Sequence, residues 1–196
     1  MQAYQVLFPL GFIYAAVGVS LWGFYALGMI PLPAFIHAQF MVPGFLFTFI
    51  SGFFMTAAPK FMGSFAARRT EIWIAGILAG LLFPIWIFDL GLHFYFLRSA
   101  LLFAFLIYFY FSRYRKRRHD PPPYFKLLPL GFSIGLLSSA ALMFNSLHPA
   151  DWLKTAVIKN YLYQDIVFIL ILGVGSRLIS ALLGWFNPQV VQMQKN

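Results

Sequence analysis

The sequence predicts an all-α polytopic transmembrane helical bundle of about six spans with both termini cytoplasmic, and three observations carry that prediction. Of the 196 residues, 61% are hydrophobic and 10% charged, with 25 phenylalanines and a mean hydropathy of +0.79. A soluble domain carries about a quarter charged residues. The apolar residues also fall in runs of about 20 or more, the length that crosses a hydrocarbon core of about 30 Å. These runs are continuous and lack the alternation of a barrel, the other architecture a bilayer admits. The formal charge is +9, from 14 Lys and Arg against five acids. In so apolar a chain these cations are read as topology signals, because Lys and Arg collect in short cytoplasmic loops. The partner implied is therefore the lipid bilayer and not nucleic acid. With no cysteine, disulfides, thiolate metal sites, iron–sulfur clusters and thiol nucleophiles are excluded.

The whole chain is read as one transmembrane domain, 1–196. The first span, 6–30, ends at Pro31-Leu-Pro33. It is expected to stay as a helix and not to be a cleaved signal peptide, because no Lys or Arg precedes Lys60 and the apolar run is too long for such a segment. The second, 36–58, stops at Pro59-Lys60, and a polar stretch follows through Arg68, Arg69 and Glu71. The run from Ile72 to Phe111 is long enough for two helices, 72–90 and 93–111, with Asp89-Leu-Gly-Leu-His93 as the turn between them. Ser112 to Pro123 holds Arg113, Arg115, Lys116, Arg117, Arg118 and three successive prolines, and separates the fourth span from the fifth, 124–147. The sixth is 161–183. With the N-terminus inside, all basic loops except Lys154 and Lys159 are cytoplasmic, as the charge bias demands. Gly76 with Gly80 and Gly131 with Gly135 have the small-residue spacing that lets helices approach closely.

No hydrophilic stretch is long enough for an extramembrane domain, so function is expected among the spans. Charged and imidazole groups there are functional candidates, and they gather toward the predicted outer face. His37 opens the second span, Asp89 and His93 bracket the third turn, and Arg98 lies about a turn into the fourth span. Asn145, His148 and Asp151 follow the fifth, and Asp165 lies early in the sixth. Imidazole is the commonest transition-metal ligand and an axial ligand of haem iron, so His37, His93 and His148 at one depth suggest a haem or copper site. The alternative is that each imidazole is separately hydrated or bonded to a backbone carbonyl. Met41 stands at i+4 from His37, so its thioether is a candidate second ligand. Its bland alternative is simple packing. Arg98 and Asp165 are able to neutralise each other, either as a structural pair or as part of a pathway. His119 reads as a solvated loop residue, and Arg177 as one that snorkels to the cytoplasmic surface. No Gly-x-Ser-x-Gly elbow, phosphate loop or His-Glu-x-x-His occurs, and the one glutamate, Glu71, sits in a basic loop.

The second span carries His37-Ala-Gln-Phe-Met41, Gly44-Phe45, Gly52-Phe53, Thr56-Ala57-Ala58-Pro59, Phe61 and Gly63. This pattern resembles the opening motif of the NnrS family: a His-Ala start, a Gly-Phe pair, then Gly-Phe-x-x-Thr-Ala-x-Pro. Phe8-Pro9-Leu10-Gly11 and Gly173-Val-Gly-Ser-Arg177 are similar to further family segments, and the resemblance is concentrated in residues 4–71. It implies a bacterial inner-membrane, multi-pass protein that binds haem b, copper or both and is linked to nitric oxide tolerance. His37 is the ligand position that carries over first. Where many members have a second histidine this chain has Gln39, and where many have a Gly-His pair it has Ala181-Leu182. Members are typically about twice as long, which implies a short version completed by a homodimer or by another membrane subunit.

Three functions follow as alternatives. One is a haem protein that handles or senses a diatomic gas or passes electrons, with His37 as ligand and His93 or His148 as its partner. Another is a small transporter whose Asp89, Arg98 and Asp165 line a pathway. The third is a cofactor-free subunit that anchors a larger complex.

Overall fold

A computed structural model describes residues 1–121, 123–148 and 155–173. Five helices among them are long and apolar enough to cross a membrane: α1 (Tyr4–Ala26), α2 (Ala34–Phe61), α3 (Arg69–Ile87), α4 (Leu92–Tyr114) and α5 (Leu127–Leu147). They run alternately up and down, joined by short turns. A further helix, α6, starts at Thr155 and is helical to 173. The helix that holds the start of the predicted sixth span therefore begins before 161, and residues 174–183 of that prediction lie outside the described part. No strand occurs among the described residues.

The helices are set by apolar continuity, and the prolines set their irregularities. Pro43 lies in a π-helical turn, Phe40–Leu46, inside α2. A proline ring clashes with the carbonyl four residues back, and widening the helix by one residue per turn relieves the clash. Pro84 likewise cannot donate to the Gly80 carbonyl, and α3 is interrupted at Leu81 between Arg69–Gly80 and Leu82–Ile87. A second π-helical turn, Tyr161–Asp165, interrupts α6. The expected start of the fifth span at 124 is instead a single 3₁₀ turn, Pro123–Lys126, with α5 proper beginning at Leu127.

Three helices end in one hydrogen-bond pattern, in which the chain reverses through a residue of positive φ. At α1, Met29 N–H reaches the Phe24 carbonyl (2.9 Å) and Gly28 N–H the Tyr25 carbonyl (2.9 Å). Ser64 and Gly63 repeat this on Pro59 and Lys60 at the end of α2, and Leu90 and Asp89 repeat it on Ile85 and Trp86 at the end of α3. This is the Schellman arrangement, which favours glycine at the left-handed position. Gly28 (φ 69°) and Gly63 (φ 58°) obey the preference, whereas Asp89 (φ 46°) does not.

The core is built of aromatic rings stacked between helices. Phe47 and Phe103 meet edge to face at 4.9 Å, and Phe54 meets Phe132 at 4.9 Å. The most extensive helix pair is α4 with α5, and α1 packs along α2. Glycines permit both contacts. A Cβ on Gly135 would lie 2.7 Å from the Phe103 ring, one on Gly52 would meet Leu7 and Phe8, and one on Gly44 would meet Tyr14 and Leu82. Gly131 and Gly135 are thus contact residues, as their spacing predicts. Gly80 faces nothing within 4 Å and Gly76 only Val6, so that pair is not a helix–helix seam.

Candidate functional site

The two ends of the bundle differ in chemistry. The loops α2–α3 and α4–α5 form a basic end, and the opposite end carries His37, His93 and His148. At the histidine end α2 begins just after Pro33, and its first turns place His37 and Met41 against α1 and Gln39 against α6.

His37 is half-buried, and its Nδ1 lies 2.8 Å from the Gly18 carbonyl of α1. A carbonyl only accepts, so Nδ1 carries a proton, and a neutral ring in this orientation keeps its lone pair on Nε2. No hydrogen bond to Nε2 occurs among the described residues. The Trp22 indole packs edge-on at 5.4 Å and fixes the ring plane. Gly18 makes the arrangement possible, because a Cβ there would stand 3.0 Å from Met41 Sδ and 3.2 Å from Phe40 Cβ. His37 and Met41 therefore converge on one glycine of α1, as their i, i+4 spacing allows.

Gln39 is buried and donates from Nε2 to the Tyr163 hydroxyl at 2.6 Å. This bond ties the entry to the π-helical turn of α2 to the π-helical turn of α6. Deeper lies Arg98, only 2% exposed. Its Nε donates to the Leu78 carbonyl (2.7 Å), Nη2 to the Ala79 carbonyl (3.0 Å) and Nη1 to the Pro43 carbonyl (2.8 Å). The Tyr14 hydroxyl donates to the same Ala79 carbonyl at 2.7 Å. One guanidinium thus holds the interruption of α3 against the π-helical turn of α2, satisfying backbone groups that irregular helices leave exposed in an apolar interior.

The other predicted residues are dispersed. His93 is half-buried beside Gly91, with its ring 4.4 Å from that of Phe94. His148 is exposed at the end of α5, next to Phe144. Among the described residues no group of three or more His, Cys, Asp or Glu stands close enough to hold a metal ion. The expected convergence of the three histidines is therefore corrected. They share an end of the bundle, but His37 packs on Gly18 and Trp22 of α1, His93 beside Phe94 of α4 and His148 beside Phe144 of α5. The expected pair of Arg98 and Asp165 is corrected too. Arg98 is engaged by three carbonyls, Asp165 is exposed, and no ion pair joins them. Asp89 is exposed at the end of α3, Asn145 binds Thr155 at 2.7 Å, and Asp151 and Arg177 lie outside the described residues.

Tyr14, Gly18, Trp22, Pro43 and Tyr163 were not singled out from the sequence. Pro43 inside an apolar run and the seven-residue spacing of Gly11 and Gly18 were the available signals.

At the basic end, Glu71 binds Arg113 in a bidentate pair, Nη1 to Oε1 at 2.7 Å and Nη2 to Oε2. Glu71 Oε2 also accepts from the Arg68 N–H at 2.7 Å. The Arg113 guanidinium is fully buried, 3.7 Å from the Phe109 ring centroid and 4.3 Å from that of Phe65. The Met62 carbonyl receives the N–H groups of Arg118 (2.9 Å) and His119 (3.3 Å). A Cβ on Gly63 would lie 2.7 Å from the His119 ring. His119 is nevertheless exposed, as the sequence suggested, with only the edge of its ring close to Gly63 of the other loop.

Five membrane-length helices, polar side chains turned inward onto backbone carbonyls and a basic rim at one end define a polytopic α-helical membrane protein. The family model described as NnrS protein matches residues 1–195, well beyond the 4–71 where the motifs concentrate, and the chain belongs to that family. No curated protein and no solved structure matches it.

Proposed function

We propose that this chain is a haem-carrying membrane protein of the nitric oxide response, with His37 as the iron ligand. The observation that carries the reading is the bond from His37 Nδ1 to the Gly18 carbonyl. Ligating histidines almost always donate their second ring N–H to a carbonyl or carboxylate, which fixes the tautomer and raises the basicity of the ligating nitrogen. His37 has that partner and an uncommitted Nε2. The dispersed His93 and His148 do not fit a shared three-histidine metal site, whereas a haem held through one protein ligand asks for only one oriented imidazole. Haem iron held by one histidine supplies an open face for a diatomic ligand. The chain's own residues orient the imidazole through Gly18 and Trp22 and place the Met41 thioether beside it. The transporter alternative loses its central pair, since Arg98 is committed to structural carbonyls.

The test is an ultraviolet–visible spectrum of detergent-purified protein, oxidised and reduced, with metal analysis on the same sample. A Soret band with bound iron is expected, lost in His37→Ala and retained in His93→Ala and His148→Ala. Copper in place of iron would move the assignment to a His37–Met41 copper site. A metal-free, flat spectrum, or a band indifferent to His37→Ala, defeats the proposal.

A further inference from the structure

A cavity of about 230 Å³ opens at the basic end, between α3, α4 and the loop that joins α2 to α3. It is lined by Phe65, Arg68, Glu71, Tyr108, Ser112, Arg115 and Lys116. Its charge is not the balanced set that this list suggests. Both Glu71 oxygens are taken, by the buried Arg113 and by the Arg68 N–H. That leaves Arg68, Arg115 and Lys116 as its open charges, and no ion pair neutralises any of them among the described residues. Two are steered by one ring: the Arg68 guanidinium and the Lys116 ammonium stand 5.5 and 5.6 Å from the Phe65 centroid. Cations held over an aromatic face are positioned more firmly than free surface side chains.

The cavity also has depth. Tyr108, Ser112 and Arg115 follow one another at spacings of four and three residues, so they line one face of α4. At about 1.5 Å per residue, Tyr108 lies roughly 10 Å below Arg115 along the helix. Tyr108 and Phe111 are exposed on α4, as are Leu101 and Ala104 further from the basic end. The cations therefore sit at one end of a strip whose other end is apolar and faces the surroundings, at the edge of a membrane-length helix.

We propose that this cavity binds one anionic phospholipid of the leaflet that borders the basic end. The phosphate lies among Arg68, Arg115 and Lys116, the Ser112 hydroxyl lies below them within the same cavity, and an acyl chain runs past Tyr108. Charge complementarity selects the anionic headgroup, and the apolar continuation along α4 selects a lipid over a soluble phosphate. The site is independent of the haem reading.

The experiment titrates phosphatidylglycerol into the full-length protein in neutral detergent and follows the bound lipid by native mass spectrometry. Phosphatidylcholine and inorganic phosphate serve as competitors. One bound phosphatidylglycerol is expected, resistant to both competitors. The triple variant Arg68→Gln, Arg115→Gln, Lys116→Gln should weaken it roughly a hundredfold, about fivefold for each cation near the headgroup. These side chains are exposed, so the fold should survive. The matched triple Arg69→Gln, Arg118→Gln, Lys126→Gln removes the same charge from exposed positions outside the cavity and should retain the lipid within a few-fold. Equal loss in both triples means diffuse attraction and overturns the site. Retention in the first triple, or displacement by inorganic phosphate at lipid-like concentrations, overturns it as well.

Discussion

The basic end and the histidine end solve the same problem, how to place polar groups beside a hydrocarbon interior, in different ways. At the basic end charges answer charges. Glu71 and Arg113 neutralise each other between two phenylalanine rings, and the two loops are pinned together at Met62. At the histidine end single polar side chains answer backbone. His37 caps onto Gly18, Arg98 onto Leu78, Ala79 and Pro43, and Tyr14 onto Ala79. The difference teaches where each device is useful. An ion pair joins the ends of two helices, α3 and α4, whereas a lone multi-donor side chain bridges irregular helices through their carbonyls, and the histidine end leaves a ring nitrogen such as His37 Nε2 uncommitted.

The sharpest way to break that comparison is to remove Arg98. Hydrogen bonds from a charged donor contribute about 1.5–3 kcal/mol each, and Arg98 makes three in a buried setting. Arg98→Met should therefore cost about 5 kcal/mol. Asp165→Asn, at the exposed position once a candidate partner, should cost close to nothing. Unfolding by sodium dodecyl sulfate titration in mixed micelles measures both. A comparable loss in Asp165→Asn would restore the ion pair and sink the backbone-capping account.

At the basic end the same logic predicts a different pattern. Glu71→Gln or Arg113→Met alone should cost about 3 kcal/mol, because each leaves a buried partner uncompensated. The double change Glu71→Met with Arg113→Met should cost clearly less than the sum of the single changes, since removing both charges of a buried pair is often nearly neutral. A double-mutant cycle in the same titration gives the coupling. Strict additivity would show that the two side chains act separately, and the contrast between the ends would fall.

The bundle was legible in the sequence because apolar run length and Lys/Arg placement are summed over many residues. The site was legible only where spacing within one helix decides it. His37 and Met41 belong to one turn of α2, so their shared face follows from i, i+4 geometry. Arg98 and Asp165 belong to separate helices, and nothing local reports that the Arg98 guanidinium is consumed by carbonyls of α2 and α3. Those carbonyls lie at the interruption of α3 and in the π-helical turn of α2, irregularities in helices that composition alone reads as regular. The three histidines share one end, but depth along the bundle is one coordinate of three. Rotation about each helix axis, which decides convergence, is fixed by packing at glycines such as Gly18 and Gly135.

The smallest effect concerns one motif used at both ends. Gly63 closes α2 at the basic end and Asp89 closes α3 at the histidine end, with the same pair of reversed hydrogen bonds and similar positive φ. An L side chain in the left-handed region is strained by about 1 kcal/mol relative to glycine. Glycine gives back part of that through the greater freedom of the unfolded chain. Asp89→Gly should therefore raise stability by roughly 0.5–1 kcal/mol, whereas Gly63→Ala should lower it, because the new methyl would also press on the His119 ring. Thermal unfolding in detergent, with both variants scanned beside the parent protein, reads the two signs. Destabilisation by Asp89→Gly would mean that the carboxylate itself contributes to the fold at the histidine end. Stabilisation would assign Asp89 to chain reversal alone.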